Sequence, residues 1–193
     1  EETMKKYPFA FCLELGYRLN GNSLDVLWRV INEDIKEMHF SIGGHPAFMC
    51  PLNGEGEQTD YYIAFDSEKD LEYSVLNENG FVAIEGEALA TQGGMLPIDA
   101  GLFDRDALII EGKQAKKVSL CDGNKMPYLS VSFDSPLFGL WSPAGKHAPF
   151  ICIEPWYGRC DKASFEGTLE EREYGNALKP GEIFEKKYQV EIL

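Results

Sequence analysis

Proton transfer needs a carboxylate or imidazole held in place, and this chain offers few such positions. One stands in Pro149-Phe150-Ile151-Cys152-Ile153-Glu154-Pro155-Trp156-Tyr157-Gly158. Strand alternation puts Phe150, Cys152 and Glu154 on one face and Ile151 and Ile153 on the other, so both faces read as buried. Burying an unpaired carboxylate is costly, so Glu154 asks for a partner, a raised pKa or a chemical task. The plainer alternative is a strand-end Glu that reaches water past Pro155.

The chain has only three histidines. His45 lies in Gly43-Gly44-His45-Pro46, where two glycines let the backbone bend and Pro46 stops strand pairing, so its imidazole is fixed at a strand exit. Its ordinary titration range suits proton transfer near neutrality. His39 reads as a partly buried structural residue within a strand, and His147 as a solvated turn residue. Phe103-Asp104-Arg105-Asp106 precedes an apolar strand; there Asp104 reads either as a turn residue bonding backbone amides or as a ligand-binding acid.

Other chemistries find little support. No helix motif with two histidines, no Asp-rich calcium loop and no His-x-His pair is present, so no metal is expected. There is no Gly-x-Ser-x-Gly elbow, no phosphate-cradling glycine loop, and no cysteine in an electropositive setting. What remains is Glu154, His45 and Asp104, with Trp156 and Tyr157 beside the glutamate. That set suits acid/base chemistry on a sugar, whose C–H faces pack on flat aromatic rings while its hydroxyls bond carboxylates and imidazole. Trp156 reads equally well as a core residue.

The elements that must position these residues are short strands. Residues 9–19 alternate apolar and polar, Asn20-Gly21-Asn22-Ser23 supplies a hairpin turn, and Leu24, Val26, Trp28 and Val30 share a face of a second strand. A third runs from Met38 to Ile42. Further strands are expected over 61–65, 71–76, 81–89, 107–111, 117–121, 128–133, 138–142 and 187–193, with at most a turn of helix at 3–7 and 168–173. Many short antiparallel strands with regular turn punctuation make an all-β sandwich or open barrel.

The 193 residues fit one domain, and 44% hydrophobic with 26% charged residues is ordinary globular composition. A formal charge of -14 repels nucleic acid and anionic membranes. The five cysteines are odd in number and lack C-x-x-C spacing, which suggests reduced thiols in a cytoplasmic protein. No apolar run approaches membrane-spanning length, so a soluble protein is expected. A phosphorylated ligand would need clustered cations, for which Lys113, Lys116 and Lys117 are the local candidates.

Four segments together resemble the aldose 1-epimerase (galactose mutarotase) family, with a LacX-like branch nearest: Phe40 to Phe48, Leu102 to Leu108, Phe150 to Gly158, and Leu178-Lys179-Pro180-Gly181-Glu182. The resemblance covers nearly the whole of 1–193. It implies a galactose mutarotase-like β-supersandwich, seen here as the C-terminal two-thirds of the family domain. It also implies interconversion of α and β anomers of a neutral hexose without a cofactor. By that resemblance Glu154 is the general base on the C1 hydroxyl, His45 the general acid on the ring oxygen and a substrate contact, and Asp104 and Trp156 further substrate contacts. No nucleic-acid or membrane partner is implied, and a homodimer is open to it. The alternative is a non-catalytic carbohydrate-binding module. Two features depart from the family pattern: nothing in 1–193 matches its N-terminal His-Gly-Phe motif, and Gly-Gly-His-Pro-Ala-Phe replaces the commoner Asn-His-x-Tyr-Phe.

Overall fold

The computed structural model describes residues 2–193. Sixteen strands follow a short helix at Glu2–Lys6: β1 (Phe11–Asn20), β2 (Ser23–Asn32), β3 (Met38–Phe40), β4 (Ile42–Gly43), β5 (Ala47–Met49), β6 (Tyr62–Phe65), β7 (Leu71–Tyr73), β8 (Glu87–Leu89), β9 (Met95–Pro97), β10 (Leu108–Glu111), β11 (Lys117–Cys121), β12 (Pro127–Phe133), β13 (Leu137–Trp141), β14 (Phe150–Tyr157), β15 (Asn176–Leu178) and β16 (Ile183–Ile192). A seven-stranded sheet has the order β1-β2-β16-β12-β11-β6-β9. A second sheet has the order β10-β13-β14-β4, with β5 also on β14, and β15-β3 and β7-β8 form two small ribbons. The named strands pair antiparallel throughout.

The two main sheets face one another across the core. Val26 and Trp28 of β2, Ile63 of β6, Val118 and Leu120 of β11 and Val131 of β12 come from one side. Leu108 and Ile110 of β10, Phe138 and Leu140 of β13, and Ile151 and Ile153 of β14 come from the other. Ile151 and Ile153 are fully buried, so truncating either forfeits roughly 2–5 kcal/mol of packing and transfer energy. The expected all-β sandwich is therefore the fold.

The opposite face of the second sheet is covered too. Val82, Ile109 and Leu137 form a satellite cluster, with Leu76, Trp156, Cys160 and Tyr174 packed against it. This explains why β14 is buried on both faces.

Several details differ from the sequence pattern. The expected 81–89 strand shortens to β8, because Val82 leaves the ribbon to bridge Leu76 and Lys162. The edge strand β9 and the ribbon strand β15, of three residues each, are too short to show a period. β16 begins four residues before the expected Lys187, through a run whose charges disguise its alternation. The expected turn at 168–173 is a 3-10 helix at Leu169–Glu171. No helix among the described residues is long and apolar enough to cross a membrane. All five cysteines are free.

Candidate active site

A break in strand pairing builds the site. β4 pairs with β14 at Trp156 and Tyr157, and β5 pairs with it at Phe150, Ile151 and Cys152. Between them Gly44, His45 and Pro46 bulge away from the ladder, tied down by Gly44 N–H donating to the Pro155 carbonyl (3.0 Å) and Ile153 N–H donating to the Pro46 carbonyl (3.3 Å). His45 therefore hangs opposite Glu154, with its Nδ1 3.4 Å from Glu154 Oε1. The glycine-bent, proline-stopped exit read from the sequence thus carries a specific geometry: a bulge delivers one imidazole to one carboxylate.

On the other side of β14 the residue paired with Glu154 is Gly139. The missing side chain there makes room for the Trp156 indole, which spans β14 from Gly43 to Gly139. A Cβ at Gly139 would lie 2.5 Å from Trp156 Cη2, and one at Gly43 2.6 Å from Cδ1. No real Cβ tolerates such distances, so the two glycines form the bed of the ring. Gly158 ends the strand at φ +127°, with Ser41 so close that no side chain fits.

Glu154 is 3% exposed, whereas the His45 side chain is 63% exposed. Burial pushes the Glu154 carboxyl up to about 7. His45 and the Trp156 indole pull it down, and the charge of Asp106 adds to the upward push. A carboxyl titrating there exchanges protons readily at neutral pH. Cys152 sits beside it on the same face, and burial pushes its thiol up to about 12, with the nearby Glu154 charge adding. It is no ready nucleophile, as its sequence setting suggested.

The cleft over this pair has a volume of about 400 Å3, and Gly44, His45, Glu154, Trp156 and Arg159 are among its walls. Arg159 looks like a ligand cation, but its guanidinium is already engaged. Nε donates to Glu111 (2.6 Å), Nη1 to the Cys160 carbonyl (2.8 Å), and Nη2 to Glu173. It fixes the chain that follows β14. A larger groove of about 560 Å3 beside β1 is lined by Leu15, Leu27 and Trp28 with surface ion pairs, and holds no histidine.

The structure brings His45, Glu154 and Trp156 together. Asp104 is exposed and absent from the cleft lining; its carboxylate lies against Gly101 within its own turn. Asp106 is the acid of that segment whose charge reaches Glu154. It takes a left-handed φ of 72°, and its Oδ1 accepts from the Ala107 N–H, a turn geometry that Asp supports. Sequence reasoning also passed over Trp141, whose ring meets His45 edge-on at 5.5 Å. Its place at the end of an apolar strand was visible, but its approach to His45 depends on pairing with Cys152 across the sheet. His39 is half-buried, 4.0 Å from the exposed Glu170, and His147 lies in an exposed turn. Lys113 and Lys117 face Asp134 and Glu191, and neither they nor Lys116 line the cleft.

Comparison with known proteins identifies the family. The aldose 1-epimerase family profile matches residues 1–191. The chromosomal LacX protein of Lactococcus lactis subsp. lactis is 31% identical over 197 residues, covering 100% of this chain and 65% of LacX. The crystal structure of a galactose mutarotase related enzyme from Lactobacillus acidophilus superposes with a TM-score of 0.90 at 31% identity, covering 100% of this chain and 65% of that one. A galactose mutarotase-like protein from Lactobacillus casei superposes at 0.86 with 28% identity, covering 100% and 66%. The chain thus spans about two-thirds of the length of these relatives. A galactose mutarotase-like β-sandwich, matched by the family profile over almost its full length, places this chain in the aldose 1-epimerase family.

Proposed function

We propose that the protein is an aldose 1-epimerase acting on a neutral hexose, with Glu154 as general base and His45 as general acid. The observation that carries the reading is the 3.4 Å pairing of a buried carboxylate with an exposed imidazole on the wall of a cleft that the Trp156 indole also lines. The C1 hydroxyl and the ring oxygen are bonded to the same carbon, so two groups a hydrogen bond apart serve both. Glu154 takes the C1 hydroxyl proton as His45 gives one to the ring oxygen. The C1–O5 bond breaks, and C1 becomes an aldehyde carbon. Rotation about C1–C2 presents the other carbonyl face, and reclosure with the proton roles reversed yields the second anomer.

The environment of Glu154 supports the role. A titration near 7 leaves much of it ionised at neutral pH yet basic enough to accept a proton, which an exposed glutamate does poorly. Trp156 supplies a flat face for the sugar, and Trp141 holds the edge of His45. Asp106, whose charge reaches Glu154, is the better placed of the two acids for a sugar hydroxyl. Free cations do not line the cleft among the described residues, which favours a neutral sugar over a phosphorylated one.

A second reading, sugar binding without turnover, draws on the exposure of the His45 side chain, which meets Glu154 and the edge of Trp141. Polarimetry on freshly dissolved α-D-galactose and α-D-glucose separates the two. Faster decay of rotation than the spontaneous rate supports the epimerase; saturable sugar binding by calorimetry with an unchanged decay supports the binding module.

A further inference from the structure

His45 Nδ1 or Nε2, Cys152 Sγ and a Glu154 carboxylate oxygen all lie within 4.8 Å of one another. We propose that these three residues form a binding site for a thiophilic divalent cation of the zinc type, a class of ligand the sequence pattern did not suggest. The set escapes motif reading because its members come from two separate segments: Cys152 and Glu154 are two apart on one face of β14, and His45 arrives through the bulge between β4 and β5.

The geometry and the donor set agree. Zinc bonds to nitrogen, oxygen and sulfur of about 2.0–2.3 Å in a tetrahedron require ligand atoms about 3.4–3.6 Å apart. The His45–Glu154 edge is already 3.4 Å. Cys152 and Glu154 are buried and held by the sheet, whereas His45 is exposed on its loop, so it is the ligand free to close the triangle. One sulfur, one nitrogen and one oxygen select zinc or cobalt over magnesium and calcium, which want oxygen cages. On binding, the Cys152 thiol gives its proton to solvent, and thiolate plus carboxylate balance the two charges of the cation. Three protein ligands leave a fourth position facing the cleft. A cation there takes the lone pairs that proton transfer needs, so zinc blocks anomer interconversion. That consequence rests on the proposed function; the binding itself does not.

The test is to titrate the purified chain with cobalt(II) chloride, following the thiolate-to-cobalt charge-transfer absorption, and with zinc chloride by calorimetry. The expected result is one ion per chain and a thiolate band that Cys152→Ala abolishes. His45→Ala, on an exposed loop and so harmless to the fold, should weaken zinc by at least the roughly 10–100-fold that losing a mere supporting contact costs. Cys160→Ala, at the wall of the same cleft, should change neither. Absence of the band, its persistence in Cys152→Ala, or its equal loss in Cys160→Ala overturns the site. Loss of turnover without any zinc binding would instead bear on the epimerase reading alone.

Discussion

β1 alternates apolar and polar residues, β14 is an apolar run around one carboxylate, and the two strands meet opposite fates. In β1, Leu13, Leu15, Tyr17 and Leu19 alternate with polar residues and sit in register with Val30, Trp28, Val26 and Leu24 of β2. The β2 partners turn inward, with Trp28 5% exposed, yet Leu15 is 59% and Leu19 76% exposed. In β14 both faces are closed, one by the facing sheet and one by the loop cluster around Val82 and Ile109. Alternation therefore reports which side chains share a face, while coverage is decided by what the rest of the fold lays over it. For chemistry the difference matters: a carboxylate on β1 would remain an ordinary acid, and on β14 it becomes a base poised near neutrality.

The largest expected effect that sharpens this contrast is His45→Asn. It removes the acid while leaving the exposed loop folded, and should cut turnover by on the order of 100- to 10,000-fold in a polarimetric assay. Next comes stability: Ile153→Ala should cost about 2–5 kcal/mol in denaturant unfolding. Gly139→Ala should be destabilising as well and should displace the Trp156 ring, visible as a change in tryptophan fluorescence.

The pH dependence follows from Glu154. Its folded pKa, near 7, lies above the ordinary value of 4.5, so the folded state binds the extra proton between those limits. Stability from this group is thus fully present below about 4.5 and declines as pH rises towards 7. Glu154→Gln should flatten that decline, as read by chemical denaturation at pH 4.5 and pH 7. The smallest effect belongs to β1: Leu19→Ser should change stability by no more than about 0.5 kcal/mol. A large loss there would mean that the strand's apolar face is covered in solution and would erase the contrast.

Much of the site is legible in the sequence. The apolar run around Glu154 reads as a strand closed on both faces, and Gly43-Gly44-His45-Pro46 as a strand exit where pairing stops. That the break lies opposite Glu154, and that Gly139 faces it, depends on long-range register, which no local pattern contains. Asp104 and Asp106 show the same limit. Both precede the β10 strand, and only Asp106, in a left-handed turn conformation, has a charge that reaches the glutamate among the described residues. Alternation tells which β1 side chains share a face but not that most of them stay exposed, because burial of an edge strand depends on what lies over it.

The most direct measurement is the rate of mutarotation of α-D-galactose by native protein and by Glu154→Gln at equal concentration, with sugar binding to both verified by calorimetry. The variant should bind the sugar and fold normally yet accelerate the rotation change by less than about one-hundredth of the native increment. Equal acceleration by the two proteins would show that the buried glutamate is not the base, and would contradict the account.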